Sequence, residues 1–247
     1  REAITHAQLS HPNILPFLGV FQEHADSPPV MVLPFLERGS LQDILIDQRL
    51  STSDFQRIAL GITEGVAYLH SRQPPIVHGD LHPGNVLLDN FGNPCLCDFG
   101  LSRIRHEVTR TGTLLMEGGR LRFLAPELFT AYTETFRTSM ATDVFSLAMT
   151  FLNIWSGKPP FCEVTMDKKV ASKLKKGKRP ARPAMSLGLV PAAESALWTL
   201  LNEMWAQEPT ARLPSRTVSE YLKQNIFYRK SSISISTPAQ IKQFLFL

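Results

Sequence analysis

The sequence predicts an α+β fold with its strands gathered in two short stretches and helices filling most of the remainder. Three observations point there. Residues 14–35 and 76–98 hold short runs of branched and aromatic side chains, set off by Gly, Pro, Asn and Asp. Residues 53–71 repeat apolar positions at helical spacing. Beyond residue 140 the periodic segments are again helical.

Taken in order, "REAITHAQLS" reads as a helix that stops at the "HPN" turn. "ILPFLGVFQE" and "PVMVLPF" read as two strands joined by "HADSPP". At "GSLQDILI" the period changes to helical. Ser53 with Gln56 has the pattern of a capping box, and Phe55, Ile58, Ile62, Val66 and Leu69 form the apolar stripe of one long helix ending near "YLHS". "IVH", "NVLLD" and "PCLCD" follow as strands, the last two joined by "NFGN". Between Asp98 and Glu127 no period is visible, and a connection of that length is either functional or disordered. "TDVFSLAMTFLNIWSG" is apolar on most sides and reads as a central helix stopped by Gly157. "AAESALWTLLNEMW" and "SRTVSEYLKQ" are two more amphipathic helices, whereas the tail "SSISISTPAQIKQFLFL" receives no role. No internal repeat is present.

Composition narrows the function classes. With 43% hydrophobic and 19% charged residues, the 247-residue chain is neither disordered nor fibrous. No stretch approaches the roughly 20 apolar residues of a membrane span. Three cysteines, Cys95, Cys97 and Cys162, make no disulfide framework and point to a reducing, cytoplasmic setting. Cys-x-Cys without further Cys or His is a poor zinc pattern, so Cys95 and Cys97 read as small apolar side chains. The net charge of +4 is uneven: Lys168 to Arg182 holds eight basic residues and no acidic one. An acidic partner could dock there, but a solvated helix face before a Pro-rich loop is the better explanation.

The chemistry lies in "HGDLHPGNVLLDNFGNPCLCDFG", residues 78–100. A strand ending at Val77 leaves "HGDLHPGN" as a loop, which puts Asp80 and Asn85 at the two ends of one tight turn. Asp98 follows the next strand, on a turn that Gly100 permits. Carboxylate and amide oxygens suit a hard ion such as Mg²⁺, completed by substrate phosphates. An adjacent Asp can accept the proton of an incoming hydroxyl. Asp and Asn are also ordinary turn formers, so the loop alone does not decide between these readings.

The order Asp80, Asn85, "DFG" (Asp98 to Gly100) and "APE" (Ala125 to Glu127) resembles the eukaryotic protein kinases, within them the tyrosine-kinase-like serine/threonine group. "LPFLERGSL", "TDVFSLAM", "MWAQEPTARLP" and "REAITHAQLSHPNILPFLG" extend the resemblance over about residues 1–225. It implies a protein-kinase-like fold, mainly the helical C-lobe (37–225), with a partial N-lobe and hinge (1–36) made of a regulatory helix and two strands. Residues 226–247 form a tail outside it.

By the resemblance, Asp80 would accept the proton of a protein Ser/Thr hydroxyl, while Asn85 and Asp98 would hold Mg²⁺ against the phosphates of ATP. Pro34 would offer its carbonyl and Leu36 its N–H to adenine, with Leu33 as gatekeeper and Leu87 as floor. Glu2, His78, Phe99, Glu127, Asp143 and Arg212 would take structural or regulatory roles, Glu127 pairing with Arg212. ATP and a protein are the implied partners, and nucleic acid is not.

Departures from the family's pattern are also legible. The Gly-rich loop and strand lysine would lie upstream of Glu2, and no G-x-G-x-x-G occurs in the chain, so the sequence reads as a domain shorn of its first strands with weak activity on its own. Gly79 stands in place of an arginine that receives a phosphorylated loop residue, which argues against activation by such phosphorylation, although Thr109, Thr111 and Thr113 remain candidate sites for it. His82 replaces a lysine near the transferred phosphate, and Arg120 replaces a threonine of the substrate segment. Cys97 reads as an unreactive half-buried thiol. The alternatives are a pseudokinase or kinase fragment acting as a binding module, and a small-molecule phosphotransferase. The segments from "LRFLAPELF" to Arg212 favour a protein substrate over the latter.

Overall fold

Short strands joined by short turns can only return antiparallel, and both sheets among the described residues do so. In the computed structural model, which describes residues 6–24, 26–47, 49–99, 117–129 and 138–227, β1 (Gly19–Phe21) pairs with β2 (Val30–Val32), Val20 opposite Met31. A second hairpin pairs β3 (Val86–Leu88) with β4 (Pro94–Leu96), Leu87 opposite Cys95. The first two strands are shorter than the sequence runs suggest. Pro16 precedes β1 and Pro34 follows β2, and proline has no N–H to give a ladder. "IVH" is not a strand: the Ile76 N–H goes to Leu69 O (3.0 Å) and the His78 N–H to a carboxylate of Asp143 (2.7 Å).

Helices carry the rest. α1 (Leu41–Asp47) is followed by α2 (Thr52–His70), whose stripe Phe55, Ile58, Ile62, Val66 and Leu69 is fully buried as the spacing predicts. Its cap is not Ser53 with Gln56. Ser51 is extended (φ −66°, ψ 162°) and accepts the Asp54 N–H at 3.1 Å, so Ser53 already lies inside the first turn. α3 (Met140–Ser156) starts at a reciprocal Ser139–Thr142 capping box and ends at Gly157 in the left-handed region (φ 66°). Every residue of α3 from Thr142 to Trp155 is buried, which makes it the axis of the helical body. α4 (Asp167–Lys175), α5 (Pro191–Met204) and α6 (Ser215–Tyr221) surround it. α6 covers only the first part of "SRTVSEYLKQ"; Leu222–Phe227 continues as a π-helical turn. Among the described residues no helix is long and apolar enough to cross a membrane.

The basic stretch divides into two classes. In α4, Val170 and Leu174 face the core while Lys168, Lys169, Lys173 and Lys175 are exposed. Arg179 instead donates to Trp205 O (2.8 Å) and lies over the Phe145 ring, a packing role.

Two glycines let the second hairpin settle on α2. A Cβ at Gly61 would come within 2.5 Å of Pro94 Cγ and 2.7 Å of Asn13 Nδ2; one at Gly65 would meet Leu96 Cδ1 at 2.9 Å. Alanine favours a helix by about 1 kcal/mol over glycine, and overpacking costs about 1–3 kcal/mol. The clash wins: Gly61→Ala is expected to lower the denaturant midpoint, and an unchanged or raised midpoint would refute this packing.

Candidate active site

The site hangs from α3. Asp143, buried within that helix, accepts the Gly79 N–H on Oδ1 (2.8 Å) and the His78 N–H on Oδ2 (2.7 Å). His70, at the end of α2, adds an Nε2 contact to the same Oδ2 at 2.9 Å and reaches Ser215 Oγ through Nδ1, also at 2.9 Å. A buried carboxylate needs such partners, and here they fix the backbone just ahead of Asp80. Gly79 takes φ 77°, a conformation open to glycine without strain, where an arginine would be disfavoured.

Beyond that anchor the loop closes on itself. The Asn85 amide donates to Asp80 O (2.8 Å) and to Asp80 Oδ2 (3.3 Å) from the 3-10 turn Pro83–Asn85. The Asn85 carbonyl in turn accepts the Cys97 N–H at 3.1 Å, which brings the residue before Asp98 against the same turn. Asp98 is exposed and itself holds a positive φ of 56°, a conformation Asp tolerates better than most residues. Gly100, expected to permit that turn, lies outside the described residues, as do Glu2, Thr109, Thr111 and Thr113. The expected oxygen set of Asp80, Asn85 and Asp98 is therefore gathered at the mouth of the β3–β4 hairpin. The Asn85 amide nitrogen is committed to Asp80, so the Asn85 amide oxygen and the Asp98 carboxylate are the oxygens here that could hold a hard ion such as Mg²⁺. Among the described residues no three His, Cys, Asp or Glu side chains cluster as a metal site by themselves, so such an ion would need phosphate oxygens too.

Beside this mouth, Leu33, Leu36 and Leu87 pack against buried Leu15, Cys95 and Cys97 in an apolar cluster separate from the main core. Pro34, between Leu33 and Leu36, is half-buried. The Cys97 thiol is pushed up to about 12, chiefly by burial and then by Asp98, which keeps it protonated and inert. It is buried rather than half-buried.

Two histidines line the polar side. His78 is fully buried, takes the Asp80 N–H on Nδ1 (3.3 Å) and meets Phe99 edge-on at 6.2 Å. Phe99 also packs on His6, 4.5 Å between ring centroids. His82 accepts the Gly84 N–H on Nδ1 (3.0 Å), and its Nε2 stands 3.8 Å from Asp80 Oδ1. Burial, opposed by Asp80 and reinforced by Arg120, drops its pKa to about 4, so the ring is neutral near pH 7. Burial likewise lowers His78. Arg120, from the turn Glu117–Phe123, pairs with Asp80 Oδ2 at 3.2 Å. At the far end, Arg212 holds Glu127 through two bonds (2.6 and 2.8 Å) and donates to Ala141 O and Ala206 O. Sequence reasoning placed these residues but missed His70, Arg122 and the Arg120–Asp80 pair. A lone His at a helix end carries no signal, and forty residues separate Arg120 from Asp80.

The Arg212 side chain is 0% exposed, so Glu127→Ala strands a buried cation and should cost about 3 kcal/mol in chemical denaturation. His78 and His82 carry protons in the unfolded chain below about pH 6.5 but resist them when folded. Stability should therefore fall as pH drops below 6.5, and for His82 the fall continues towards pH 4 at up to about 1.4 kcal/mol per pH unit. His82→Asn should flatten that slope; denaturant curves across this range check it, and an unaltered slope would contradict the assignment.

Residues 1–227 match the protein kinase domain family. The chain is 33% identical over 219 residues to serine/threonine-protein kinase 12 of Arabidopsis thaliana, covering 87% of this chain and 45% of that protein. It is 31% identical over 221 residues to receptor-interacting serine/threonine-protein kinase 2 of Bos taurus, covering 85% and 39%. With receptor-interacting serine/threonine-protein kinase 4 of Mus musculus it shares 31% over 201 residues, covering 81% and 25%. The chain thus spans less than half the length of these relatives. Family match, helical body and motif order agree, and the chain belongs to the protein kinase domain family, among relatives of the tyrosine-kinase-like serine/threonine group.

Proposed function

We propose that this domain transfers the terminal phosphoryl group of ATP to Ser or Thr hydroxyls of a protein. One observation carries the reading: a single hydrogen-bonded unit joins Asp80, Asn85 and the residue before Asp98, beside an apolar cluster of Leu33, Leu36 and Leu87. Leu33, Leu36 and Leu87 would cover adenine, with the Pro34 carbonyl and Leu36 N–H as its polar contacts. Asn85 and Asp98 would hold Mg²⁺, which when bound neutralises phosphate charge. Asp80, fixed through Asp143 and Asn85, would orient the acceptor hydroxyl and take its proton. Glu127 with Arg212 would keep the substrate side in place.

Residues 1–36 are read as N-lobe and hinge and 37–225 as C-lobe, with Glu2 as the regulatory-helix carboxylate. The free Cys95, Cys97 and Cys162 support an intracellular setting. The exposed lysines of α4 would suit an acidic partner. A second reading, a binding module that retains the fold, draws on neutral His82 and on the apolar side chains that the first hairpin exposes, Phe35 at 88% above all.

The two readings part in the full-length protein that carries this domain. Asp80→Asn is expected to lower phosphotransfer at least 100-fold while Mg²⁺-dependent ATP binding persists; Asp98→Asn should lose that dependence. ATP binding without any transfer by the unaltered protein would establish the binding module instead.

A further inference from the structure

The charge balance at Asp80 points past the oxygen set, and the inference rests on the kinase reading. A phosphoryl group in flight spreads negative charge over its equatorial oxygens, and catalysis depends on cations already placed to meet it. The loop that carries Asp80 does not supply one. Its ionisable neighbour His82 is 4% exposed, uses Nδ1 on the Gly84 N–H, and leaves Nε2 unpartnered 3.8 Å from Asp80 Oδ1.

A cation arrives from elsewhere in the chain. Arg120 Nη1 stands 3.2 Å from Asp80 Oδ2, and no other N–H of that guanidinium has a partner among the described residues. Its backbone is firmly held. Two residues on, Arg122 donates to Pro160 O (3.1 Å), Phe161 O (2.7 Å) and Val164 O (2.8 Å) and pairs with Asp167 (2.9 Å). Ser146 Oγ on α3 donates to Phe123 O at 2.8 Å. Yet the Arg120 side chain is 35% exposed, so an incoming phosphate can reach it.

We propose that Arg120 is the catalytic cation of this site, holding the Asp80 carboxylate with one N–H and the non-bridging oxygens of the transferred phosphoryl group with others. The acceptor oxygen bonds to the γ-phosphorus as the bond to the β,γ-bridging oxygen breaks. The electron pair leaves with ADP, and the hydroxyl proton passes to Asp80. A guanidinium suits this division because its five donors lie in one rigid plane.

The test uses the full-length protein with Mg-ATP, reading autophosphorylation and transfer to casein. Arg120→Thr should lower kcat about 100-fold, with the ATP KM and the melting temperature nearly unchanged. Arg120→Lys should recover most of the loss. His82→Lys added to Arg120→Thr should restore at least about tenfold, because it returns a cation to the other oxygen of Asp80. Independently of turnover, Mg-ADP with aluminium fluoride, which mimics the phosphoryl group in flight, should bind the Arg120→Thr protein about 100-fold more weakly, while Mg-ADP alone binds equally. Activity equal to or above the unaltered protein in Arg120→Thr would overturn the proposal and make Arg120 a restraint on Asp80. A fall in melting temperature that Arg120→Lys does not reverse would reduce it to a structural tie. If the unaltered protein neither binds Mg-ATP nor transfers phosphate, the kinase reading itself fails and takes this one with it.

Discussion

Asp143 is the point on which the site depends. Its carboxylate sits in a helix buried from Thr142 to Trp155, and two backbone N–H groups and an imidazole converge on it. Removing a carboxylate from water is costly, so this arrangement persists only because each lone pair it exposes inward finds a donor. The converse matters more for function. The backbone of residues 78–79 has no ladder to join, and without Asp143 its N–H groups would be orphaned at the edge of the core. A single side chain thus converts an irregular loop into a fixed platform for Asp80, and couples it to the end of α2 and the start of α6 through His70 and Ser215.

That coupling explains how rigidity is distributed. The helical body packs α2 and α3 with fully buried stripes, and the second hairpin is seated on α2 through Gly61 and Gly65. The Asn85, Asp98 and Asp80 groups all stand where this hairpin meets the platform, on backbone tied by hydrogen bonds rather than on open loop. The first hairpin is different. Leu18, Val20, Phe21 and Val30 are more than half exposed, so it contributes little to the core on its own side. It joins the rest mainly through Ile14, which bridges to Leu96, and Leu15, which packs beside Cys95 and Cys97. The surfaces expected to face adenine lie along this thinner junction.

Periodic features were legible in the sequence because they depend on local spacing alone. The α2 stripe and the Gly157 stop emerge as read, and Asn85 bonds back to Asp80 across one tight turn. What failed depended on tertiary partners. Ser51 rather than Ser53 caps α2 through Asp54, and Thr52 Oγ1 beside it donates to Leu187 O at 2.7 Å, a contact 135 residues away that no local pattern shows. "IVH" has strand composition, yet its donors are taken by a helix end and by Asp143. Arg120 was visible as an odd residue in a substrate segment. Its relation to Asp80 exists only because Arg122 and Ser146 hold that segment over the loop.

The two substitutions at the site are physically linked. A permanent cation at position 82 would share the Asp80 carboxylate with the Arg120 guanidinium, one on each oxygen. Burial already disfavours charge there, and Arg120 adds to that bias, as the depressed His82 pKa records. An arginine at 120 and a neutral side chain at 82 are therefore a consistent pair, in which the positive charge stands on the more exposed of the two positions. The arrangement has a structural consequence. Charge beside Asp80 no longer belongs to the loop that Asp143 fixes. Among the described residues it belongs to the turn Glu117–Phe123, held by its α3 and α4 contacts.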